Sequence, residues 1–341
     1  DWLYALISPG DFKGKTTSTM ISKIIGRLTQ TVFVLVATSF ISFAIFSFSP
    51  DPADSILGEN ATIEDRENLR KELGYDRPFV VQFLDFIGRF GQGDFGKSLR
   101  TNERVSDLLI DRAPATLELV LVSTVVTMIV GILLGIYTGT HRHSRISQFI
   151  LSFSLLGVSV PTFLLGLLAV FLFAVHLDWL PASSRAGVVD LGFWSTGLLT
   201  LEGWRSLLLP SLVHSVFNIG LFIRLVRADV LEIRTSDYIT FARARGLSEK
   251  VINYSHVLPN SLTPIINIGA LNIGGLIAFS LITETVFQWP GLGLMFVQAI
   301  QFSDFPIMSV YFVLIAFTFV FLNLLADILV GVVDPRIRRS G

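Results

Sequence analysis

The chain has 341 residues, of which 51% are hydrophobic and only 16% are charged. A soluble domain carries about 25% charged residues, so this composition, with a mean hydropathy of +0.64, indicates that much of the surface faces lipid. The net charge of −1 argues against a nucleic-acid partner, which would favour a basic excess, and the lack of cysteine excludes disulfides, thiolate metal sites and cysteine nucleophiles.

The first residues precede any membrane segment. We expect residues 1–19 to be an N-terminal extension, because they are irregular apart from one short apolar patch and are followed by Met20. The first long apolar run begins near Thr31 and exceeds the about 7–15 residues of a signal-peptide core, so we expect no cleavable signal peptide.

Six apolar stretches have the length of membrane-spanning helices. A bilayer core needs about 20 mostly apolar residues in helical form, because every backbone amide must be bonded internally. The stretches lie at about residues 28–49, 115–138, 146–175, 206–228, 262–285 and 306–332. Pro161 should kink the third of them, because proline removes one backbone hydrogen bond. The predicted fold class is therefore all-α, and the alternative of buried helices in a large soluble protein is disfavoured.

The distribution of Lys and Arg predicts the orientation of the spans. With the N-terminus inside, 15 of the 26 basic residues fall in inner segments, and the outer loop between the third and fourth spans holds only Arg185 and Arg205. Another nine lie in the loop after the first span, which is too long for the rule to count. Because basic residues concentrate on the cytoplasmic side, we expect both termini in the cytoplasm.

The first outer loop, residues 50–113, should form a small helical element rather than a tether. Val80, Phe83, Leu84 and Ile87 recur at helical spacing. This spacing predicts an amphipathic helix that lies on the membrane surface or on the rest of the protein. A charged run before it is typical of a solvated helix.

The segment Gly91–Ser98 matches the phosphate-binding pattern G-x-x-x-x-G-K-[ST]. In a nucleotide-binding fold, such a loop joins a buried strand to a helix, and its amides cradle phosphates. Here the preceding residues have helical period, the loop lies on the predicted outer side, and no apolar strand ending in Asp follows to bind magnesium. We therefore predict a glycine-rich turn.

The inner segment after the fourth span is the most informative part of the chain. Ser236 or Asp237 suits the N-cap position of a helix, and Gly246 suits the C′ position. These signals predict a short helix of about nine residues. Ser248 then suits the N-cap of a second helix, which should end at Pro259.

The short helix has the composition of a contact surface. Ala242 and Ala244 allow close approach by another surface, while Tyr238, Phe241 and Leu247 offer apolar anchors. Such a helix between two spans suits docking in a groove on a soluble partner. The alternative is a basic loop held near anionic lipid headgroups, and the spacing alone does not choose between them.

The run Ala242-Arg-Ala-Arg-Gly246, followed by Pro259, resembles the "EAA" loop of binding-protein-dependent ABC-transporter permeases. The wider run Asp237–Leu247 is similar to the dipeptide/oligopeptide group, although the acidic residue that names the motif falls at Thr240. Further stretches similar to this group follow in family order at Gly93–Ser98, Arg112–Leu119, Ser159–Phe163, Glu284–Gly293 and Asp334–Arg338. The chain most resembles the B-type permease of this group.

The resemblance implies a multi-pass protein of the bacterial inner membrane with the type I ABC importer permease fold. That fold has six transmembrane helices, here with a periplasmic helical loop after the first. The implied organisation is an N-terminal extension, a first helix with its periplasmic subdomain, a permease core and a cytoplasmic tail, at residues 1–19, 20–113, 114–335 and 336–341.

The resemblance also implies partners. They are a second homologous permease subunit, one or two cytoplasmic ATPase subunits, a periplasmic solute-binding protein and the lipid bilayer. ATP and magnesium would be bound by the partner subunits, and we expect no cofactor, catalytic residue or metal site in this chain. The implied cargo is a small peptide, with nickel, glutathione or an oligosaccharide as alternatives. Contact with an ATPase subunit is implied for Asp237, Tyr238, Phe241, Ala242, Arg243, Ala244, Arg245, Gly246, Leu247 and Pro259.

Polar or bent positions within the spans are candidates for the translocation path. Amide and charged groups at membrane depth are costly, so they usually face a bundle interior or a path. The candidates are Ser159, Pro161, Asn218, Asn272 and Glu284. For the amides and the glutamate, the alternative role is a structural hydrogen bond between helices. Candidates for an outer gate or a contact with the binding protein are Trp289, Pro290 and Gly291.

Two other function classes are less well supported. A self-sufficient secondary transporter or channel would need ionisable residues at mid-span, and the central thirds of the spans have almost none. A membrane enzyme would need a nucleophile–base pair or a His–carboxylate cluster in a span. His141 and His143 flank Arg142 in an inner loop, and we interpret this trio as a positive anchor rather than a metal site.

Overall fold

The structure is a computed structural model, and it describes residues 29–45, 62–73 and 76–333. Within these ranges the chain is almost wholly helical, with one short β-hairpin. The predicted extension at 1–19, the Asp334–Arg338 stretch and the tail at 336–341 lie outside the described residues.

The helices are numbered in chain order. Before the hairpin they are α1 (Thr29–Ile45), α2 (Ile63–Leu73), α3 (Phe79–Gly91), α4 (Val105–Thr140), α5 (Arg145–Ser159) and α6 (Thr162–Ala169), which continues as a π-helix over Val170–His176. The hairpin pairs β1 (Val189–Asp190) with β2 (Ser195–Thr196) in antiparallel register. After it come α7 (Leu201–Arg234), α8 (Asp237–Ala244), α9 (Glu249–Val251) with a π-helix over Ile252–Val257, α10 (Leu258–Val286), α11 (Leu292–Gln301) and α12 (Phe305–Val333).

Helices occupy all six predicted spans. α4, α7 and the Phe305–Leu325 part of α12 are each long and apolar enough to cross a membrane, and α5 and α6 have that length and apolarity as a pair. α1 and the Asn272–Val286 part of α10 are shorter apolar helices. The all-α, multi-pass prediction is confirmed.

The third predicted span is broken at Pro161. α5 and α6 are bent by 104° relative to each other, whereas we predicted one helix with a kink. Val160 and Pro161 have extended backbone, with ψ of 127° and 136°, so two consecutive residues leave the helical path. A residue before proline disfavours helical backbone, which explains why the break includes Val160. The kink is therefore confirmed in position and larger than a single lost hydrogen bond would give.

α4 and α7 pack together through a row of small residues. Three glycines of α4 at four-residue spacing face three α7 side chains with the same spacing: Gly131, Gly135 and Gly139 opposite Phe222, Val226 and Val230. A Cβ built at any of these glycines would lie 2.6 Å from a carbon of the facing side chain, closer than real side chains approach. The missing Cβ atoms therefore let the two backbones come together, as in other membrane helix pairs. We call this contact the glycine seam.

The helix predicted after the first span packs its aromatic residues on α1. The rings of Phe79 and Phe83 lie edge-on to Phe40, with centroids 5.7 and 5.3 Å apart, an arrangement that aromatic rings favour. Val80 and Leu84 of the same helix are exposed. The predicted helix is confirmed; its aromatic residues contact α1, and Phe90 near its end packs against the buried cluster that includes Val105 and Leu292.

The segment Gly91–Ser98 is a turn between α3 and α4. Gly93 and Gly96 both have φ of +76°, a left-handed backbone that glycine adopts without strain. The hydroxyl of Ser98 donates to Asp304, in the loop before α12. Since a helix rather than a strand precedes this loop, it does not have the strand–loop–helix context of a phosphate site, as predicted.

Candidate functional site

The helix bundle has two ends with different polar contacts. At one end, the turn between α4 and α5 lies near α8, and we call this the α8 end. At the other, the β-hairpin and the turn between α10 and α11 contact the first half of α4, and we call this the hairpin end. The predicted ATPase contacts lie at the α8 end and the predicted outer gate at the hairpin end.

The caps of α8 follow the sequence signals. Ser236 occupies the N-cap position, although its hydroxyl donates back to the carbonyl of Ile233 instead of capping the helix. At the other terminus Gly246 has φ of +79°, its N–H donates to the carbonyl of Arg243, and the N–H of Leu247 donates to that of Ala242. This pair of bonds is a Schellman motif. The prediction of Gly246 as the C′ residue is confirmed.

One face of α8 is buried against the rest of the chain. Ile239 is fully buried and Ala242 nearly so, one turn apart on the same side of the helix. They pack in one cluster with Val226 and Val230 of α7 and with Ile252 of the following π-helix. The close approach predicted for Ala242 is thus to the chain's own core. Ile239, which the sequence analysis did not single out, is the main anchor of α8.

The opposite face of α8 is open. Tyr238, Phe241 and Leu247 are 44%, 64% and 40% exposed, and Ala244 and Arg245 beside them are exposed as well. The guanidinium of Arg245 lies 5.8 Å from the ring centre of Phe241, a cation–π distance. We call these five residues the α8 exposed face. It combines an aromatic ridge with one positive charge.

A group of ionic contacts ties α8 to the chain on both sides of it. Glu249 accepts from Arg243 at 2.7 Å and from Arg234 at 2.8 Å. Arg234 also donates to the side chain of Asn253. The hydrogen bond from Arg243 lowers the pKa of Glu249, and the charges of both arginines lower it further, against the opposing effect of burial. We call Arg234, Arg243 and Glu249 the α8 clasp; Arg243 thus has an internal partner in addition to any external one.

The chain after α8 differs from the prediction at Pro259. The N-cap at Ser248 is confirmed, since its hydroxyl accepts from the N–H of Val251. The second helix does not end at Pro259 but continues through the π-helix into α10. Pro259 lies in the first turn of α10, directly after the π-helix, so its missing N–H falls where the hydrogen-bond register changes from π to α.

Tyr238 is held by the same stretch. Its hydroxyl donates to the carbonyl of His256 at 3.4 Å and accepts from the amide of Asn260 at 3.2 Å. These bonds orient the phenol ring while leaving nearly half of the side chain exposed. Pro259 thus lies beside the residues that position Tyr238.

The predicted path residues at the bend are exposed. Ser159 and Pro161 lie at the break between α5 and α6, and both are exposed. The hydroxyl of Ser159 donates to the carbonyl of Leu155, one turn back in its own helix. A role in the path stays a prediction for both.

The two predicted asparagines lie half-buried in α7 and α10. The amide nitrogen of Asn272 is buried, as are the hydroxyls of Thr124 and Thr127 on α4, and these three groups have no hydrogen-bond partner in the described part of the chain. Buried polar atoms without partners mark places where water or a ligand would be stabilised. Asn272 therefore stays a candidate for the path. For Asn218, no contact distinguishes a role in the path from a structural hydrogen bond between helices.

Both carboxylate oxygens of Glu284 accept hydrogen bonds from groups within the chain. Glu284 is fully buried and accepts from the Thr116 hydroxyl at 2.7 Å and from the N–H of Leu294 at 2.9 Å. These bonds join α10 to α4 and to α11. They bring together two stretches, 112–119 and 284–293, that the sequence analysis matched separately.

The predicted gate residues lie in the same junction. Trp289 is 1% exposed, and its indole N–H donates to the carbonyl of Ala115 at 2.8 Å. Gly291 is buried so tightly that a Cβ there would lie 2.4 Å from the Thr116 hydroxyl. Of the three predicted contact residues only Pro290 is partly exposed. In this conformation the segment acts as a joint between helices, and its outer contacts stay a prediction.

A buried ion pair fixes the loop that carries the hairpin. Arg185 donates to Glu118 of α4 at 2.7 Å, with side chains 6% and 2% exposed. Arg185 also donates to the hydroxyl and the carbonyl of Ser195, and Glu118 accepts from the N–H of Gly197. Both charges thus have several hydrogen-bond partners within the chain, as buried charges require. Glu118 lies in the second predicted span. Its partner could not be identified from the sequence, because Arg185 is 67 positions away.

His214 links α7 to α10 and was not singled out from the sequence. Its Nε2 lies 3.0 Å from the carbonyl of Leu276 and its Nδ1 lies 3.0 Å from the hydroxyl of Thr283. A carbonyl only accepts, so Nε2 carries a proton, and in the neutral imidazole Nδ1 accepts from the Thr283 hydroxyl. The signal available in the sequence was a lone histidine inside an apolar span.

The histidines of the turn between α4 and α5 have protein partners. Nε2 of His143 accepts from Nε of Arg142 at 2.8 Å, and the ring of His141 stacks on Tyr137 with centroids 4.7 Å apart. Throughout the described ranges, no three His, Cys, Asp or Glu side chains are grouped as a metal ion requires.

Sequence comparisons give matches over nearly the whole chain. Residues 131–339 match the family described as binding-protein-dependent transport system inner membrane component, and residues 20–120 match the N-terminal family of the same membrane components. The dipeptide transport system permease protein DppB of Alkalihalophilus pseudofirmus is 32% identical over 94% of this chain and 100% of its own length. The oligopeptide transport system permease protein AppB of Bacillus subtilis is 34% identical over 93% of this chain and 99% of its own length.

A solved structure supports the same architecture. The MetNI methionine ABC transporter, in an inward-facing conformation, superposes with a TM-score of 0.53 at 18% identity, covering 67% of this chain and 96% of that chain. At this identity the likeness shows the fold alone.

Proposed function

Because this chain belongs to the family of binding-protein-dependent transport system inner membrane components, we propose that it is a permease subunit of an ATP-binding-cassette importer for small peptides. The predicted type I permease fold is confirmed. The chain would form half of the translocation path, the other half coming from a second homologous permease. Family membership does not favour a self-sufficient transporter or channel.

The observation that carries the proposal is the two-sided character of α8. Its inner side, Ile239 and Ala242, is buried in the chain, while Tyr238, Phe241 and Leu247 stand open to a partner. A short amphipathic helix of this kind fits an apolar groove on another protein. We assign that groove to a cytoplasmic ATPase subunit, which would bind ATP and magnesium.

The packing explains how motion of α8 would reach the membrane. α8 shares a cluster of buried side chains with α7 at Val226 and Val230, and the same two side chains fill the glycine seam with α4. Close-packed interiors pass on displacement rather than absorb it. A pull on α8 would therefore move α7 and α4 together, which is rigid-body switching driven by contacts that differ between two states.

The hairpin end would receive cargo from a periplasmic solute-binding protein. The relatives DppB and AppB are named as dipeptide and oligopeptide permeases, and this supports peptides over nickel, glutathione or an oligosaccharide as the cargo. One or two ATPase subunits would complete the complex.

Reconstitution tests this proposal against an unaided transporter. The purified chain alone in vesicles should give no uptake of a labelled dipeptide above empty vesicles. Uptake should require ATP, the ATPase subunits, the second permease and the binding protein together. Uptake by the chain alone would contradict the proposal.

Single-cysteine labelling tests the orientation, and the chain suits it because it has no native cysteine. Gly192→Cys lies between the hairpin strands and Lys250→Cys lies in α9 at the α8 end, both at exposed positions. A membrane-impermeant maleimide should label the first variant in intact spheroplasts and the second only after permeabilisation. The reverse pattern would place the α8 end outside and contradict the ATPase contact.

A further inference from the structure

A cleft of about 450 Å³ opens at the α8 end, between the α4–α5 turn and the end of α7. One water molecule takes up about 30 Å³ in the liquid, so the cleft has room for a much larger group. Its lining comes from three separate parts of the chain: residues 139–144, then Leu231, Arg234 and Thr235, and finally Arg243.

The side-chain charge of the cleft is positive. Arg142, Arg234 and Arg243 line it, and none of its lining residues is acidic. Glu249 at its margin is bonded to two of these arginines. Arg142 has no acidic partner in the described part of the chain; its Nε donates to His143. The two terminal nitrogens of the Arg142 guanidinium are therefore available to donate to a ligand.

Helix termini modify this charge but do not reverse it. Ser144 is the N-cap of α5, so the partly positive end of that helix lies at the cleft. α4 and α7 end at Thr140 and Arg234, and their partly negative ends lie there too. Each terminus is worth about half a charge, so the arginines keep the cleft net positive.

The cleft also lies at the height where a lipid headgroup would be found. Residues 119–136 of α4 include no charged side chain; Tyr137 follows them, a residue type that favours the membrane–water interface, and Thr140, one turn later, lines the cleft. A basic pocket between membrane helices at this depth is suited to phosphate-bearing headgroups.

We propose that this cleft binds a phosphate group, carried either by an anionic lipid or by a soluble phosphate compound. The fork of Arg142 would bind two phosphate oxygens, as guanidinium groups commonly do. Arg234 and Arg243 would supply the remaining charge. Since these two arginines also hold α8 through Glu249, the bound phosphate would lie in direct contact with the α8 clasp.

The test uses the full chain in nanodiscs of neutral phosphatidylcholine. Inorganic phosphate and short-chain phosphatidylglycerol are titrated separately, and hydrogen exchange of residues 139–144 is followed as the measure of binding. Arg142→Gln should weaken binding about tenfold, as expected for the loss of one charged hydrogen-bonding group. Arg145→Gln is the matched control, because Arg145, the first residue of α5, is exposed and three positions from Arg142 but does not line the cleft.

Each outcome decides the proposal. Saturable protection by phosphatidylglycerol alone, lost in Arg142→Gln only, identifies a lipid headgroup. The same result with inorganic phosphate identifies the phosphate group itself as sufficient. Protection by neither probe, or equal weakening by Arg142→Gln and Arg145→Gln, would overturn the proposal, since the second result is what general attraction to a basic surface gives.

Discussion

The two ends of the bundle carry Arg–Glu pairs of equal length in very different surroundings. At the hairpin end, Arg185 and Glu118 are 2.7 Å apart with side chains 6% and 2% exposed. At the α8 end, Arg243 and Glu249 are also 2.7 Å apart, but 36% and 53% exposed. Bulk water screens the second pair, whereas the first is buried and has its charges hydrogen-bonded within the chain.

This difference means that breaking an Arg–Glu pair should destabilise the hairpin end strongly and the α8 end only slightly. The hairpin end is fixed by polar groups that cannot separate without leaving a buried charge. The α8 end is held mainly by the apolar contact of Ile239, and its ion pairs can open into water. We infer that α8 is the end that adjusts to a partner.

The largest effect is expected for removal of one partner of the buried pair. Arg185→Met leaves the Glu118 carboxylate buried without its cation, which should cost about 3 to 5 kcal/mol of stability. Arg243→Met, at the exposed pair, should cost at most about 1 kcal/mol. Thermal unfolding of the purified variants in detergent measures both.

A double variant sharpens this test. Glu118→Gln combined with Arg185→Met removes both charges and should regain part of the lost stability, because the uncompensated charge is gone. Equal midpoints for Arg185→Met and Arg243→Met would show that burial does not distinguish the two ends.

The next effect concerns the apolar anchor of α8. Ile239→Ala removes a fully buried side chain, a change that costs about 2 to 5 kcal/mol in protein cores. Because α8 can detach locally, we expect faster hydrogen exchange over residues 236–247 while α4 and α7 remain protected. Leu247→Ala, a partly exposed apolar residue of the same segment, is the control and should change exchange little. Unchanged protection in Ile239→Ala would mean that the clasp, not the anchor, holds α8.

A smaller effect is expected in the glycine seam between α4 and α7. Gly135→Ala places a Cβ 2.6 Å from that of Val226, and such overpacking costs about 1 to 3 kcal/mol. Gly275→Ala on α10 is the control, since its Cβ would meet nothing within 4 Å. Thermal midpoints should fall for the first variant and hold or rise for the second. Equal midpoints would mean that the seam tolerates wider spacing.

The smallest effect is the pH dependence of the clasp. The pKa of Glu249 lies below its ordinary value of 4.5, first because of the hydrogen bond from Arg243. A carboxylate with a lowered pKa contributes its full stability above the ordinary value and loses it as the pH falls through the lowered one. Protection of α8, corrected for intrinsic exchange, should therefore hold from about pH 8 to 5 and fall below about pH 4.5. Glu249→Gln should show weaker protection with no such fall.

The parts of this fold that depend on local chemistry could be predicted from the sequence. Apolar length located the six helical segments, and Gly246 was assigned to the end of α8 because only glycine enters left-handed backbone without strain. Hydropathy missed the first turns of α4, since residues from Val105 to Pro114 are partly polar yet continue the helix outside the apolar stretch.

The parts that depend on distant contacts could not be predicted. Thr116 and Glu284 form a hydrogen bond although they are 168 positions apart, and neither stretch of sequence indicates that it contacts the other. The same holds for Glu249, whose pairing with Arg234 and Arg243 has no signal in the residues around it. Proline after an apolar segment predicts a helix end at Pro259, and the π-helix that precedes it has no signal in composition.

The most direct test of the role of α8 is the number of peptides imported per ATP hydrolysed by the reconstituted complex. Gly246 and Gly192 share left-handed backbone, with φ of +79° and +87°, and a Cβ at either meets nothing within 4 Å. Valine at either position therefore imposes the same local strain at opposite ends of the molecule.

We predict that Gly246→Val lowers import per ATP several-fold while ATP hydrolysis continues. Gly246→Asn should stay close to the unaltered protein, because asparagine tolerates this backbone, and Gly192→Val should leave the ratio unchanged. An unchanged ratio in Gly246→Val, or an equal fall in Gly192→Val, would contradict the coupling role of α8.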